Sequence, residues 1–156
     1  MAPVDSEKLR HHLDHARRNL ERLQRVRDEG EEAFLADEMV QDATVRMLQV
    51  VIEALLDSGH HVIAREGLGI PRQYADTVKL LIEADILPRE HQESFLRMVK
   101  FRNRAVHLYD EIDSPEVFDI LQHHLSDIEL FIGAIAGRYL APPSEEGSEP
   151  HSEEKS

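Results

Sequence analysis

Residues 102 to 109 read Arg102-Asn103-Arg104-Ala105-Val106-His107-Leu108-Tyr109, which sets a guanidinium, an amide, an imidazole and a phenol within two predicted helical turns. Little else in the chain could do chemistry, and these types suit anion binding and proton exchange. On a helix that advances about 100° per residue, Asn103 and His107 share a face, and Arg102 and Tyr109 share a neighbouring one. Val99 and Val106 add an apolar seam on that side. Arg102 and His107 point about 140° apart on an ideal helix, so they converge only if the helix loosens or a second chain completes the site. The plain alternative is two solvated arginines beside a packing histidine.

The elements that must carry these groups are helical throughout. Leu9, Leu13, Ala16, Leu20 and Leu23 alternate spacings of four and three, which predicts an amphipathic helix closing near Gly30. A short link through Phe34 and Leu35 leads to Asp37, a candidate cap for the longest helix, from Glu38 to Arg65, which Gly67 and Gly69 stop. Ile70-Pro71 predicts the start of a third helix through Asp85, and Leu87-Pro88 precedes a fourth from Arg89 to Tyr109. Ser114-Pro115-Glu116 opens a fifth, running to Tyr139, with a capping hydroxyl, a proline at the first position and an acid in the first turn. No window alternates apolar and polar residues with β-branched enrichment. The expected fold is all-α, an antiparallel bundle of about five helices over residues 1–140. Residues 141–156, APPSEEGSEPHSEEKS, have nothing to bury and read as a disordered acidic tail.

Composition narrows the function. The 156 residues are 41% apolar, enough for one core, and contain no cysteine, which excludes disulfides, thiolate metal sites and cysteine nucleophiles. No stretch approaches the roughly 20 apolar residues of a membrane span, and the charged start MAPVDSEKLRHHL lacks a signal-peptide core, so a cytoplasmic protein without membrane contact is expected. The net charge of −13 opposes broad nucleic-acid binding. Five glutamates against Lys155 give the tail −4, which leaves −9 on the body. Arg97, Lys100, Arg102 and Arg104 nevertheless gather within eight residues, so a local phosphate site remains open where non-specific duplex binding does not.

Other candidates are weaker. Glu53 interrupts the apolar run from Val50 to Leu56, and Asp57 lies one turn later on the same face; the two could restrain Arg102 across the bundle or form an ordinary ion pair between helices. His11 and His15 have helical ligand spacing and His60-His61 and His123-His124 come as pairs, but no HExxH or cysteine set accompanies them, so no metal is expected. Gly67-Leu68-Gly69 follows a helix and precedes Pro71, which makes it a turn and no dinucleotide fingerprint.

The ordered set Arg102, Asn103, His107 and Tyr109 resembles the Arg-x4-His-x-Tyr signature, with a polar residue after the arginine, of the HepT-like ribonuclease toxins of the HEPN superfamily. Similarity extends to VVIEALLDSGHHVIAREGLGIP from Val50 to Pro71, to FRNRAVHLYDEID from Phe101 to Asp113, and to the Ile- and Leu-rich helix that follows. It covers roughly residues 5 to 138. The resemblance implies a homodimer in which two copies of the motif form one composite cleft. It implies an RNA substrate, cleavage by attack of the 2′-hydroxyl without metal or cofactor, and catalysis by Arg102 and His107 with Asn103 orienting. It also implies a cognate nucleotidyltransferase antitoxin of the MNT type. Tyr109 then has two readings: it lines the cleft beside Arg102, or it takes AMP from that antitoxin, which sets negative charge against Arg102 and obstructs the site.

Three classes of function are thus carried forward: a metal-independent endoribonuclease toxin, a non-catalytic subunit that presents substrate within a two-component nucleotidyltransferase, and a purely structural dimer.

Overall fold

A computed structural model describes residues 3–140, and within them the chain is helical with no strand. The residues read as an acidic tail, 141–156, lie outside the described residues. The helices are α1 (Ser6–Asp28), α2 (Glu31–Leu35), α3 (Glu38–Glu66), α4 (Tyr74–Glu83), α5 (Gln92–His107), α6 (Ser114–His123) and α7 (Leu125–Tyr139), with single 3-10 turns at Arg89–His91 and Tyr109–Glu111.

Local sequence accounts for the long helices. Asp5 caps α1 by accepting from the Lys8 amide, and the predicted stripe Leu9, Leu13, Ala16, Leu20 and Leu23 is buried. Asp37 caps α3 by accepting from the Met39 and Val40 amides. Gly67 ends it in the left-handed conformation, φ 66°, which a residue with a Cβ adopts at a cost. α3 is the axis of the bundle, since residues from Thr44 to Ile63 are buried along it. Around it Phe34 packs on Phe118 with ring centroids 5.6 Å apart, and Phe95 meets Phe131 edge to face at 5.5 Å. Each such side chain withdrawn from water contributes about 1.5–3 kcal/mol before conformational entropy is counted.

Three boundaries differ from the sequence expectation. α4 begins at Tyr74, not near Ile70: Gln73 is extended, φ −150° and ψ 169°, and the Asp76 carboxylate accepts from the Arg72 amide at 3.0 Å just before the first turn. α5 ends at His107 and does not reach Tyr109. The chain leaves the helix at Leu108 because Arg104 reaches forward to the Glu111 carbonyl at 3.3 Å and to the Glu116 carboxylate, while Ser114 donates to Gln41 at 2.7 Å. The predicted fifth helix divides at His124, φ −127° and ψ 1°, which keeps Leu121 and Leu125 both buried. With the short α2 added, seven α-helices among the described residues replace the expected five.

α4 packs closely on α3 at Gly59. A Cβ there would lie 2.7 Å from Leu81 Cδ1 and 3.2 Å from Thr77 Cγ2, so the missing side chain sets how near α4 approaches. That approach carries Tyr74 over the C-terminal half of α5, where it meets Arg102.

Candidate active site

Arg102 is held from three directions. Its Nε donates to Glu53 Oε2 at 2.8 Å across the α3–α5 packing, and an Nη donates to Asn103 Oδ1 at 3.2 Å. Its Cζ lies 5.0 Å from the centroid of the Tyr74 ring, a cation–π contact from α4. Glu53 is itself steadied by Gln49, which donates to it at 3.2 Å. Tyr74 in turn donates its hydroxyl to Asp57 at 3.0 Å. Burial first, then the adjacent Asp57 carboxylate, pushes the Tyr74 phenol up to about 12. Glu53 and Asp57, one turn apart on α3, thus divide the work: one binds the guanidinium and the other fixes the ring on which it stacks. A guanidinium has five N–H donors, and among the described residues these contacts take two, leaving three for an anion.

Arg102, Asn103 and His107 line a single open cleft of about 490 Å³, faced by His60 of α3, by Pro71, Arg72 and Gln73, and by Tyr74 and Thr77 of α4. The helix remains regular between Arg102 and His107. The 140° offset is closed by the length of the arginine side chain, which bends toward Asn103 on the histidine's face. His107 and Asn103 are exposed, and Arg102 is partly buried. His107 sits in the last turn of α5.

Tyr109 is not in that cleft. Because α5 ends at His107, the phenol turns toward the N-terminal half of α3 and donates to the Asp42 carboxylate. Its surroundings are a separate hollow of about 280 Å³ lined by Glu38, Gln41, Asp42, Asp110 and Ser114 among others. The hydrogen bond to Asp42, before burial and the nearby carboxylate charges, raises the Tyr109 phenol above its ordinary value. The expectation that Arg102 and Tyr109 share a helical face therefore gives way to two sites either side of the end of α5.

Of the four cations expected to form one cluster, only Arg102 lines the cleft with Asn103 and His107. Arg97, Lys100 and Arg104 line a different, largely apolar groove with Leu48, Ile52 and Phe101. There Arg104 is bound to both carboxylate oxygens of Glu116, the Oε1 contact being 3.0 Å, and so ties α5 to α6. Sequence reasoning missed Tyr74, Arg72 and Gln73 as cleft residues, and no local pattern marks them. Among the described residues no three His, Asp or Glu side chains converge as metal ligands. No described helix is long and apolar enough to cross a membrane.

Comparison with known proteins adds to this geometry. The family model described as ribonuclease HepT-like matches residues 16–135. The chain is 34% identical over 119 residues to the mRNA nuclease HepT of Shewanella oneidensis, covering 76% of this chain and 89% of that protein. It is 27% identical over 129 residues to the tRNA nuclease HepT of Aphanizomenon flos-aquae, covering 83% and 87%. Among solved structures, the tri-AMPylated Shewanella oneidensis HEPN toxin in complex with its MNT antitoxin superimposes with a TM-score of 0.77 at 32% identity, covering 83% of this chain and 97% of that one.

Proposed function

The chain belongs to the HepT-like ribonuclease family of HEPN toxins, and on that premise we propose that it is an endoribonuclease toxin whose Arg102 cleft cuts RNA without a metal ion. The observation that carries this reading is the convergence of Arg102, Asn103 and His107 on one open cleft, with the guanidinium braced by Glu53 and Tyr74. In this reading the 2′-hydroxyl attacks phosphorus and loses its proton to one imidazole. The bond to the 5′-oxygen breaks as a second imidazole protonates the leaving oxygen, giving a 2′,3′-cyclic phosphate and a 5′-hydroxyl. The three free N–H groups of Arg102 hold the phosphoryl oxygens as charge builds on them, an interaction commonly worth about 3 kcal/mol of barrier. Asn103 orients the guanidinium from one side, as its hydrogen bond to Arg102 indicates.

The second imidazole is the His107 of another copy, which makes the working form a homodimer. Val106 and Leu108, flanking His107, are 39% and 49% exposed, and such apolar surface beside a polar cleft suits coverage by a second chain. The partner in regulation is a nucleotidyltransferase antitoxin that attaches AMP to Tyr109, whose hydroxyl lies near the surface of its own hollow. A phosphate joined to that oxygen meets Asp42, Asp110 and Glu38, and the repulsion drives the modified side chain out of the hollow, toward the nearby end of α5.

A second reading, a non-catalytic subunit that only receives AMP, draws on the same exposed Tyr109 and on the acidic body. Cleavage of labelled RNA in excess EDTA separates the two. Wild-type protein alone cuts and leaves a cyclic phosphate, and His107→Ala folds with an unchanged melting temperature but stops cutting. Full activity in that variant, or none in the wild type, ends the nuclease reading.

A further inference from the structure

The cleft has two walls, and the reading above uses only one of them. α5 supplies Arg102, Asn103 and His107; the other wall is built by the α3–α4 connection and contains Pro71, Arg72 and Gln73. We propose that Arg72 is a second RNA-binding residue, holding a backbone phosphate other than the one at which Arg102 acts. This inference rests on the ribonuclease reading of the same cleft.

Three observations support it. First, Arg72 is exposed, and among the described residues its guanidinium has no salt bridge or hydrogen bond, whereas Arg104 is bound to Glu116 and Arg102 to Glu53. Second, its backbone is fixed although its side chain is free. The Arg72 amide donates to Asp76 Oδ2 at 3.0 Å, and the ring of Pro71, the residue just before, fixes its own φ, so the guanidinium stands on a rigid base at the cleft's edge. Third, the body of the protein carries −9, so its overall field repels RNA, and affinity must come from the few local cations that face the substrate. A cleft of about 490 Å³ exceeds one phosphate group by far, which leaves room for a neighbouring nucleotide along the Arg72 wall.

A flanking phosphate is bound equally well before and during the reaction, so Arg72 contributes to binding and not to the chemical step. The test uses the full chain with single-stranded labelled RNA in EDTA, over a series of salt concentrations. Arg72→Gln is expected to raise KM by about tenfold at low salt with kcat unchanged, with Arg72→Lys recovering much of the loss. RNA binding by fluorescence anisotropy, on a His107→Ala background that does not cut, reads the same contact independently of catalysis. There the slope of log affinity against log salt is expected to shrink by about 0.7 on adding Arg72→Gln, the loss of one phosphate contact to a single strand. A purely structural role for Arg72 leaves that slope alone. An unchanged KM and salt slope in Arg72→Gln, or a fall in kcat in place of the rise in KM, overturns the inference while leaving a cutting wild type intact. A wild type that binds RNA with the Arg72-dependent slope but never cuts removes the ribonuclease reading and keeps the binding residue.

Discussion

Arg102 and Tyr109 stand seven residues apart in one sequence motif, yet they occupy surroundings of opposite character. Arg102 sits in a cleft whose free donors face outward: its remaining N–H groups, the exposed Asn103 and His107, and Arg72 and His60 across the gap. Its two acidic neighbours are already engaged, Glu53 by the guanidinium and Asp57 by the Tyr74 hydroxyl. Tyr109 faces Glu38, Asp42 and Asp110, and its hydroxyl is spent on Asp42. The first region can receive a phosphate; the second repels one unless the side chain moves. On the proposed reading, one short motif holds a reaction site and a separate modification site, with the turn at Leu108 keeping them apart.

The largest effect expected on this contrast comes from Glu53→Ala. Without that carboxylate the guanidinium loses its tether to α3 and wanders from the phosphate, and kcat for RNA cleavage in EDTA falls by about tenfold to a hundredfold. AMP transfer to Tyr109 by the nucleotidyltransferase, followed by mass spectrometry, stays at the wild-type level because Glu53 does not reach the Tyr109 hollow. Equal loss of both would erase the distinction between the two regions.

A smaller effect separates the two phenols by titration. The folded state holds the Tyr74 proton more tightly than the unfolded chain does, so the stability it contributes is complete below pH 10 and is lost as pH rises toward about 12. Tyr74→Phe therefore flattens the fall of denaturant-measured stability across that interval. Asp42→Ala, acting on the other region, brings the Tyr109 phenol back toward its ordinary value by removing the hydrogen bond that raises it, while the Tyr74 titration stays near 12. Tyrosinate absorbance in the single and double variants reads both shifts.

How far these features were legible in the sequence depends on the range of the interaction behind each one. Asp37 and Gly67 delimit α3 through bonds to residues within one turn, and the Leu9 to Leu23 stripe is a local period, so both were readable. The end of α5 was not, because no glycine or proline marks Leu108; the helix stops through Arg104 reaching Glu111 and Glu116. The same holds at His124, where the apolar pattern runs on and only packing bends the chain. Glu53 and Asp57 were visible as a pair on one face, but which partner each takes depends on α4 lying against α3 at Gly59. Tyr74 and Arg72 were invisible for that reason: the Asp76 contact to the Arg72 amide is local, but the cleft forms only where the α3–α4 connection meets α5.

The most direct test of a cleft that works apart from its modification site is the cleavage rate of Tyr109→Phe, measured on labelled RNA in EDTA before and after incubation with nucleotidyltransferase and ATP. The account predicts cutting at close to the wild-type rate in both conditions, with the wild type silenced in the second. A Tyr109→Phe protein that is as inactive as His107→Ala while folding normally contradicts it.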